Sequence, residues 1–133
     1  MALIASCHCG ATRIELPAQP TQAGSCNCSF CARTGAIWAY YKPGELKFLS
    51  QEGEGTYAVN PALNQHHFCS RCGMQTWGSS PDWASMYNAD GTPKNGDPTV
   101  VPTERTFGVN LNLVDDLDWA AITIEKMDGR NNW

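Results

Sequence analysis

Long apolar runs are missing from this sequence: nowhere do about 18 consecutive apolar residues occur, the length a helix needs to cross a bilayer. Basic charge is scarce too. Nine Lys and Arg stand against thirteen Asp and Glu, a formal net charge of −4. Such a chain gains nothing from a phosphate backbone or an anionic lipid surface, so neither nucleic acid nor a membrane is an expected partner. The stretch Met1 to Ser6 is too short, and lacks the basic start, for a secretory leader. Free or metal-bound thiols in a reducing compartment, the cytoplasm, are therefore expected rather than disulfides. Helical periodicity is nearly absent as well, with only Asp115 to Ala121 and the turn Ser29 to Thr34 weakly helical. There is no internal repeat and no linker, so residues 1–133 read as one domain, large enough to bury a core. Hydrophobic residues at 42% and charged residues at 17% exclude general disorder.

What is present reads as β-structure. Ala11 to Leu16 alternates, as does Leu46-Lys47-Phe48 after the Pro43-Gly44 turn. Ala36 to Tyr41 suits a buried strand, and Thr56 to Val59, Gln75 to Trp77, Gly108 to Leu113 and Ala121 to Lys126 are further candidates. Short strands punctuated by Gly and Pro predict a mainly β fold of antiparallel sheets. Ser79 to Arg105 breaks the pattern. It carries Pro81, Pro93, Pro98 and Pro102 without periodicity, and reads as a lid, binding loop or insertion.

Seven cysteines fall into three clusters: Cys7-His8-Cys9-Gly10, Cys26-Asn27-Cys28-Ser29-Phe30-Cys31 and Cys69-Ser70-Arg71-Cys72-Gly73. Close pairs separated by long intervals present thiolates to tetrahedral zinc. Seven cannot pair fully as disulfides within one chain, but it divides into a closed four-ligand site and an open three-ligand site. In an extended strand, residues two apart share a face, so Cys7 with Cys9, and Cys26 with Cys28, can each reach one ion. Cys69-x-x-Cys72-Gly73 is a knuckle whose glycine tolerates the fold-back, and Cys9 has the same follower. Cys7, Cys9, Cys69 and Cys72 are thus the natural four-sulfur set, and Cys26, Cys28 and Cys31 remain as a compact three-thiolate set. An iron–sulfur cluster on the same thiols, or inert buried cysteines, are the alternatives.

The histidines divide. His8 is expected to turn away from its flanking ligands, and His66 to face solvent. His67 is the candidate to complete the open site or act as a base, against the plainer reading of a strand histidine. Trp38, Tyr40, Tyr41 and Trp77 could wall a pocket or fill the core. Arg33 and Arg71, beside the thiolate clusters, could hold a substrate carboxylate or lie in solvent.

With these motifs, together with Phe68 before Cys69 and the late Val109-Asn110-Leu111-Asn112, the chain resembles the GFA family. That family is named for glutathione-dependent formaldehyde-activating enzyme and grouped with the centromere protein V type domain. The resemblance runs from Ser6 to about Gly129. It implies a β-tent-like fold with two zinc ions per chain. Cys7, Cys9, Cys69 and Cys72 match the structural ligands, and Cys26, Cys28 and Cys31 the catalytic ones. The implied activity is that of a carbon–sulfur lyase, an S-(hydroxymethyl)glutathione synthase-like enzyme joining a small thiol such as glutathione to an aldehyde, formaldehyde first. An open zinc would activate the thiol, since three anionic sulfurs leave it a weak Lewis acid. A non-catalytic zinc-stabilised binding module and a thiol or zinc redox sensor are the competing expectations.

Overall fold

Alternating residues and frequent turn formers give short strands. The computed structural model describes residues 3–97 and 99–132; Met1 and Ala2 of the amino-terminal stretch, Pro98 of the long loop, and Trp133 lie outside it. The strands are β1 (Leu3–Ser6), β2 (Thr12–Leu16), β3 (Gln22–Cys26), β4 (Trp38–Tyr41), β5 (Lys47–Gln51), β6 (Glu54–Tyr57), β7 (Gln65–Cys69), β8 (Gln75–Pro81), β9 (Arg105–Asn110) and β10 (Thr123–Met127). A six-residue helix α1 (Ser29–Thr34) follows β3, and a helical turn α2 (Gly129–Asn132) follows β10. The fold is mainly β, as expected.

Two sheets form. The smaller has the order β1-β2-β5, the larger β10-β3-β4-β9-β8-β7-β6. Among the described residues the strand pairings are antiparallel with one exception: β10 lies parallel to β3, which brings Met127 beside Cys26. The core lies between the sheets. Ile14 and Phe48 from the smaller meet Trp77, Phe107 and Val109 from the larger, and the Phe48 and Trp77 rings are 4.8 Å apart. Ile14, Val109 and Leu111 are fully buried, each contributing about 1.5–3 kcal/mol by burial.

Two expectations are corrected, and one strand goes unforeseen. The segment Ser79 to Arg105 is strand at both ends, because Ser79 to Pro81 extend β8 and Arg105 begins β9. Between them, a short 3-10 turn at Trp83–Met86 is followed by side-chain turns: Asp90 accepts from the Thr92 amide, and Asp97 from that of Thr99. The weak helix at Asp115 to Ala121 is reduced to a 3-10 turn at Trp119–Ala121. β3 escapes notice in the sequence, because Gln-Ala-Gly-Ser-Cys is poor in strand formers; its neighbours β10 and β4 hold it extended.

Candidate metal centres

Cys7 and Cys9 sit in the turn joining β1 to β2, while Cys69 ends β7 and Cys72 lies in the turn leading to β8. Both turns fold back in the same way. The Gly10 amide donates to the Cys7 carbonyl and the Gly73 amide to that of Cys69. The two glycines take φ of 83° and 80°, a region that penalises any side chain. Cys7 and Cys9 are therefore not two apart on a strand. A strand would aim its amides at a neighbouring strand, whereas this turn lets the Thr12 amide reach the Cys7 sulfur at 3.2 Å. The four sulfurs lie within 4.8 Å of one another, with Cys7–Cys9 at 3.8 Å and Cys9–Cys69 at 3.6 Å.

Crowded thiols cannot all ionise alone. The Cys9 amide, above all, holds the Cys72 thiol down at about 6. Against the Ala11 amide, which lowers it, desolvation and the sulfurs of Cys69, Cys7 and Cys72 push Cys9 up to about 11. Protons thus leave this group stepwise, and a cation is what would let all four go at once.

The second group has different architecture. Cys26 ends β3, Cys28 is the N-cap of α1 and Cys31 lies within its first turn. Cys28 Sγ accepts the Cys31 amide at 3.3 Å, while Cys26 Sγ accepts the Cys28 amide at 3.4 Å. Here too the strand-alternation argument is corrected, since the chain turns at Asn27. The Asn27 side chain points away from the sulfurs: its Nδ2 donates to Asp128 and its Oδ1 accepts the Arg130 amide. The three sulfurs also lie within 4.8 Å of one another. Burial, then the Cys28 thiol, pushes Cys31 up to about 12, against a lowering contact from Trp38. Each group could hold a metal ion.

Sheet register decides which aromatic and imidazole side chains reach the three-sulfur group. Tyr57, His66, Gly78, Gly108 and Tyr40 are successive cross-strand partners and share one face. His67, Trp77, Val109 and Ala39 form the adjacent row on the other face, inside the core. The Phe30 ring of α1, between Cys28 and Cys31, stacks on His66 with centroids 3.7 Å apart. His66 is therefore half-buried beneath α1 rather than solvent-facing. His67 is buried, stacked on Trp77 at 4.0 Å, with Nδ1 on the Thr56 hydroxyl, and belongs to neither sulfur group.

The four aromatic candidates divide in the same way. Trp38 and Tyr40 face the site, their rings lying flat where Gly108 has no Cβ, which would come within 3.4 Å and 3.3 Å of them. Tyr41 and Trp77 face the core, where the Trp77 indole donates to Glu54. Desolvation, followed by the charges of Cys31, Cys26 and Cys28, pushes the Tyr40 hydroxyl up to about 12.

The arginines stand elsewhere. Arg33 donates to the Ser29 carbonyl of its own helix, and Arg71 faces solvent with Glu52 3.6 Å away. His8 is exposed. Sequence reasoning missed Arg130, whose Nε donates to the Asn27 carbonyl and latches the chain's end onto the cysteine loop. The Val109 to Asn112 motif is a brace: Asn110 donates to the Gln75 carbonyl, and Asn112 to the Gly35 carbonyl at the end of α1. A cavity of about 470 Å³ opens over β3 and β10, lined by Tyr40 and by Met127, the register partner of Cys26.

The profile of the family described as glutathione-dependent formaldehyde-activating enzyme, GFA, matches residues 2–107. A Halomonas elongata protein, provisionally named a glutathione-dependent formaldehyde-activating enzyme, is 30% identical over 138 residues, covering 96% of this chain and 85% of that protein. A Rhodobacter sphaeroides protein of known crystal structure superposes with a TM-score of 0.63 at 25% identity, covering 93% of this chain and 98% of that one. The family match spans both sulfur groups and most of the two sheets, and this chain belongs to the GFA family.

Proposed function

We propose that this protein joins a small thiol to formaldehyde and runs the same reaction in reverse, as a zinc-dependent carbon–sulfur lyase of the S-(hydroxymethyl)glutathione synthase type. The observation that carries the reading is the convergence of Cys26, Cys28 and Cys31 on an accessible loop beside a cavity, separate from a four-sulfur group. The four-sulfur set fits zinc, and the three-sulfur set offers the same donor chemistry. A tetrahedron with Zn–S bonds of about 2.3 Å has edges of about 3.8 Å, against observed sulfur separations of 3.8 Å and 3.6 Å. Cys7, Cys9, Cys69 and Cys72 would hold the structural ion, and Cys26, Cys28 and Cys31 the catalytic one.

At the three-sulfur site zinc would supply thiol activation, keeping a bound thiol ionised at neutral pH. The chain's own residues supply the rest. The thiolate's electron pair forms the carbon–sulfur bond, the carbonyl pair moves onto oxygen, and that oxygen takes up a proton. Tyr40, at the cavity rim and protonated up to about 12, is the donor to that oxygen, in the role the sequence assigns to His67. In reverse, Tyr40 recovers the proton as the bond breaks and thiolate leaves. His66 acts at one remove, by holding Phe30 and so the pitch of α1. Seven free thiols suit a reducing compartment such as the cytoplasm.

The test is a screen of small thiols against aldehydes with protein shown to hold both metals, following thiol consumption above the uncatalysed rate. Acceleration with formaldehyde and at least one thiol, lost in Tyr40→Phe by tenfold or more, supports the reading. No acceleration with any pair points to a binding module instead.

A further inference from the structure

The cavity over β3 and β10 has a chemical sign. Because β3 and β10 run parallel with Gln22 opposite Thr123, Gly24 opposite Glu125 and Cys26 opposite Met127, these six residues share one face. Five of them, with Tyr40, line the cavity. Met127 lies over Gly24: a Cβ there would come within 2.6 Å of the Met127 methyl and 3.7 Å of the Tyr40 ring, so these two side chains wall the cavity on the cysteine side. Glu125 lies one pair along from Cys26, a rise of about 7 Å, so a short molecule with its sulfur at the cysteines reaches the carboxylate with its other end.

Among the described residues lining the cavity, Glu125 is the one charged group. Lys126 alternates to the opposite face, and Arg33 and Arg130 do not line the cavity, donating instead to backbone carbonyls of α1 and of the cysteine loop respectively. A substrate carboxylate entering here meets a carboxylate and no cation. An ammonium group there has Glu125, the Gln22 side chain, the Thr123 hydroxyl and the Tyr40 ring within its surroundings, all of them solvent-exposed, and so gains an exposed ion pair with added polar and ring contacts.

We propose that this cavity is an ammonium subsite with Glu125 as its counter-charge, so that the protein takes thiols bearing a nearby amine in preference to thiols whose only charge is negative. The proposal rests on the thiol-addition reading above and names the substrate class that reading leaves open. β10 lies beyond the stretch matched by the family profile, residues 2–107, so the preference is written in a part of the chain outside that match.

The experiment titrates the metal-loaded protein with three probes, cysteamine, 2-mercaptoethanol and mercaptoacetate, and reads binding by amide chemical-shift changes. Cysteamine is expected to bind about fivefold more tightly than 2-mercaptoethanol, the upper range for an exposed ion pair, and to move the Gly24, Thr123 and Glu125 amides. Mercaptoacetate should bind most weakly. Glu125→Gln should erase the cysteamine preference. Equal binding of the three thiols, or a preference that survives Glu125→Gln, overturns the subsite and leaves thiol addition standing. Binding of none of them, with both metals in place, overturns both readings.

Discussion

Replacing Cys72 by Ser should cost far more stability than replacing Cys28, although each change removes one sulfur. With zinc bound, the four-sulfur group would tie the turn between β1 and β2 to the end of β7, joining the two sheets through Cys9 and Cys69, 60 residues apart in sequence. A cross-link closing a loop of that length stabilises by about 4 kcal/mol in the chain-entropy relation. Complete loss of that link corresponds to a Tm lower by roughly 15 °C for a chain this size, the upper bound for Cys72→Ser, in which Cys7, Cys9 and Cys69 remain. Cys28 belongs to a loop of a few residues, worth about half as much by the same relation. Cys26 and Cys31 remain to hold part of it, and α1 has no buried residue. Its loss should lower Tm by less than half as much while weakening the second metal site. Thermal unfolding by circular dichroism, with zinc content measured on the same samples, separates the cases. Equal losses of Tm in the two variants would refute the division into a structural and a catalytic site.

Three further outcomes follow from the same geometry. Purified protein should carry close to two zinc per chain by elemental analysis, with the ion of the three-sulfur site, held by one ligand fewer, lost first to a chelator; a single tight ion, or iron with visible absorbance, would contradict this. Burial, offset in part by Glu54, lowers the proton affinity of His67 from its ordinary 6.5. Above that pH both folded and unfolded forms are neutral; below it the unfolded chain takes up a proton the folded one resists, so stability falls as pH falls. His67→Phe should flatten that decline in urea titrations of metal-saturated protein, and an unchanged slope would count against the burial argument. Gly108→Val should displace Tyr40 and Trp38, lowering thiol addition by tenfold or more while both metals stay bound; unchanged activity would remove Tyr40 from the site.

The grouping of the cysteines was legible because zinc chemistry constrains number and spacing, and four plus three survives in the structure. The local argument for it was wrong in detail: Cys7 and Cys9 come together because amides curl the chain around sulfur, not because a strand alternates. Alternation did separate His66 from His67, as the pairing of β7 with β8 shows. What a single sequence could not supply was which face the cysteine loop would cover, and that depends on α1 crossing the sheet to place Phe30 on His66. The cavity was hidden for a similar reason. It exists because β10 returns parallel to β3 over 101 residues of separation between Gln22 and Thr123, a long-range pairing that no local pattern encodes. Strand candidates rich in β-branched and aromatic residues were found, whereas β3, held by its partners, was not.

The most direct measurement is exchange spectroscopy on glutathione and formaldehyde at equilibrium, where the uncatalysed interconversion sets the background. Metal-replete protein should speed exchange between free thiol and its hydroxymethyl adduct. Cys28→Ser should abolish the acceleration, and Arg71→Ala, a surface change near Glu52, should leave it intact. Exchange at the background rate in protein shown to hold both metals, or acceleration that persists in Cys28→Ser, would contradict the assignment of Cys26, Cys28 and Cys31 as the reactive centre.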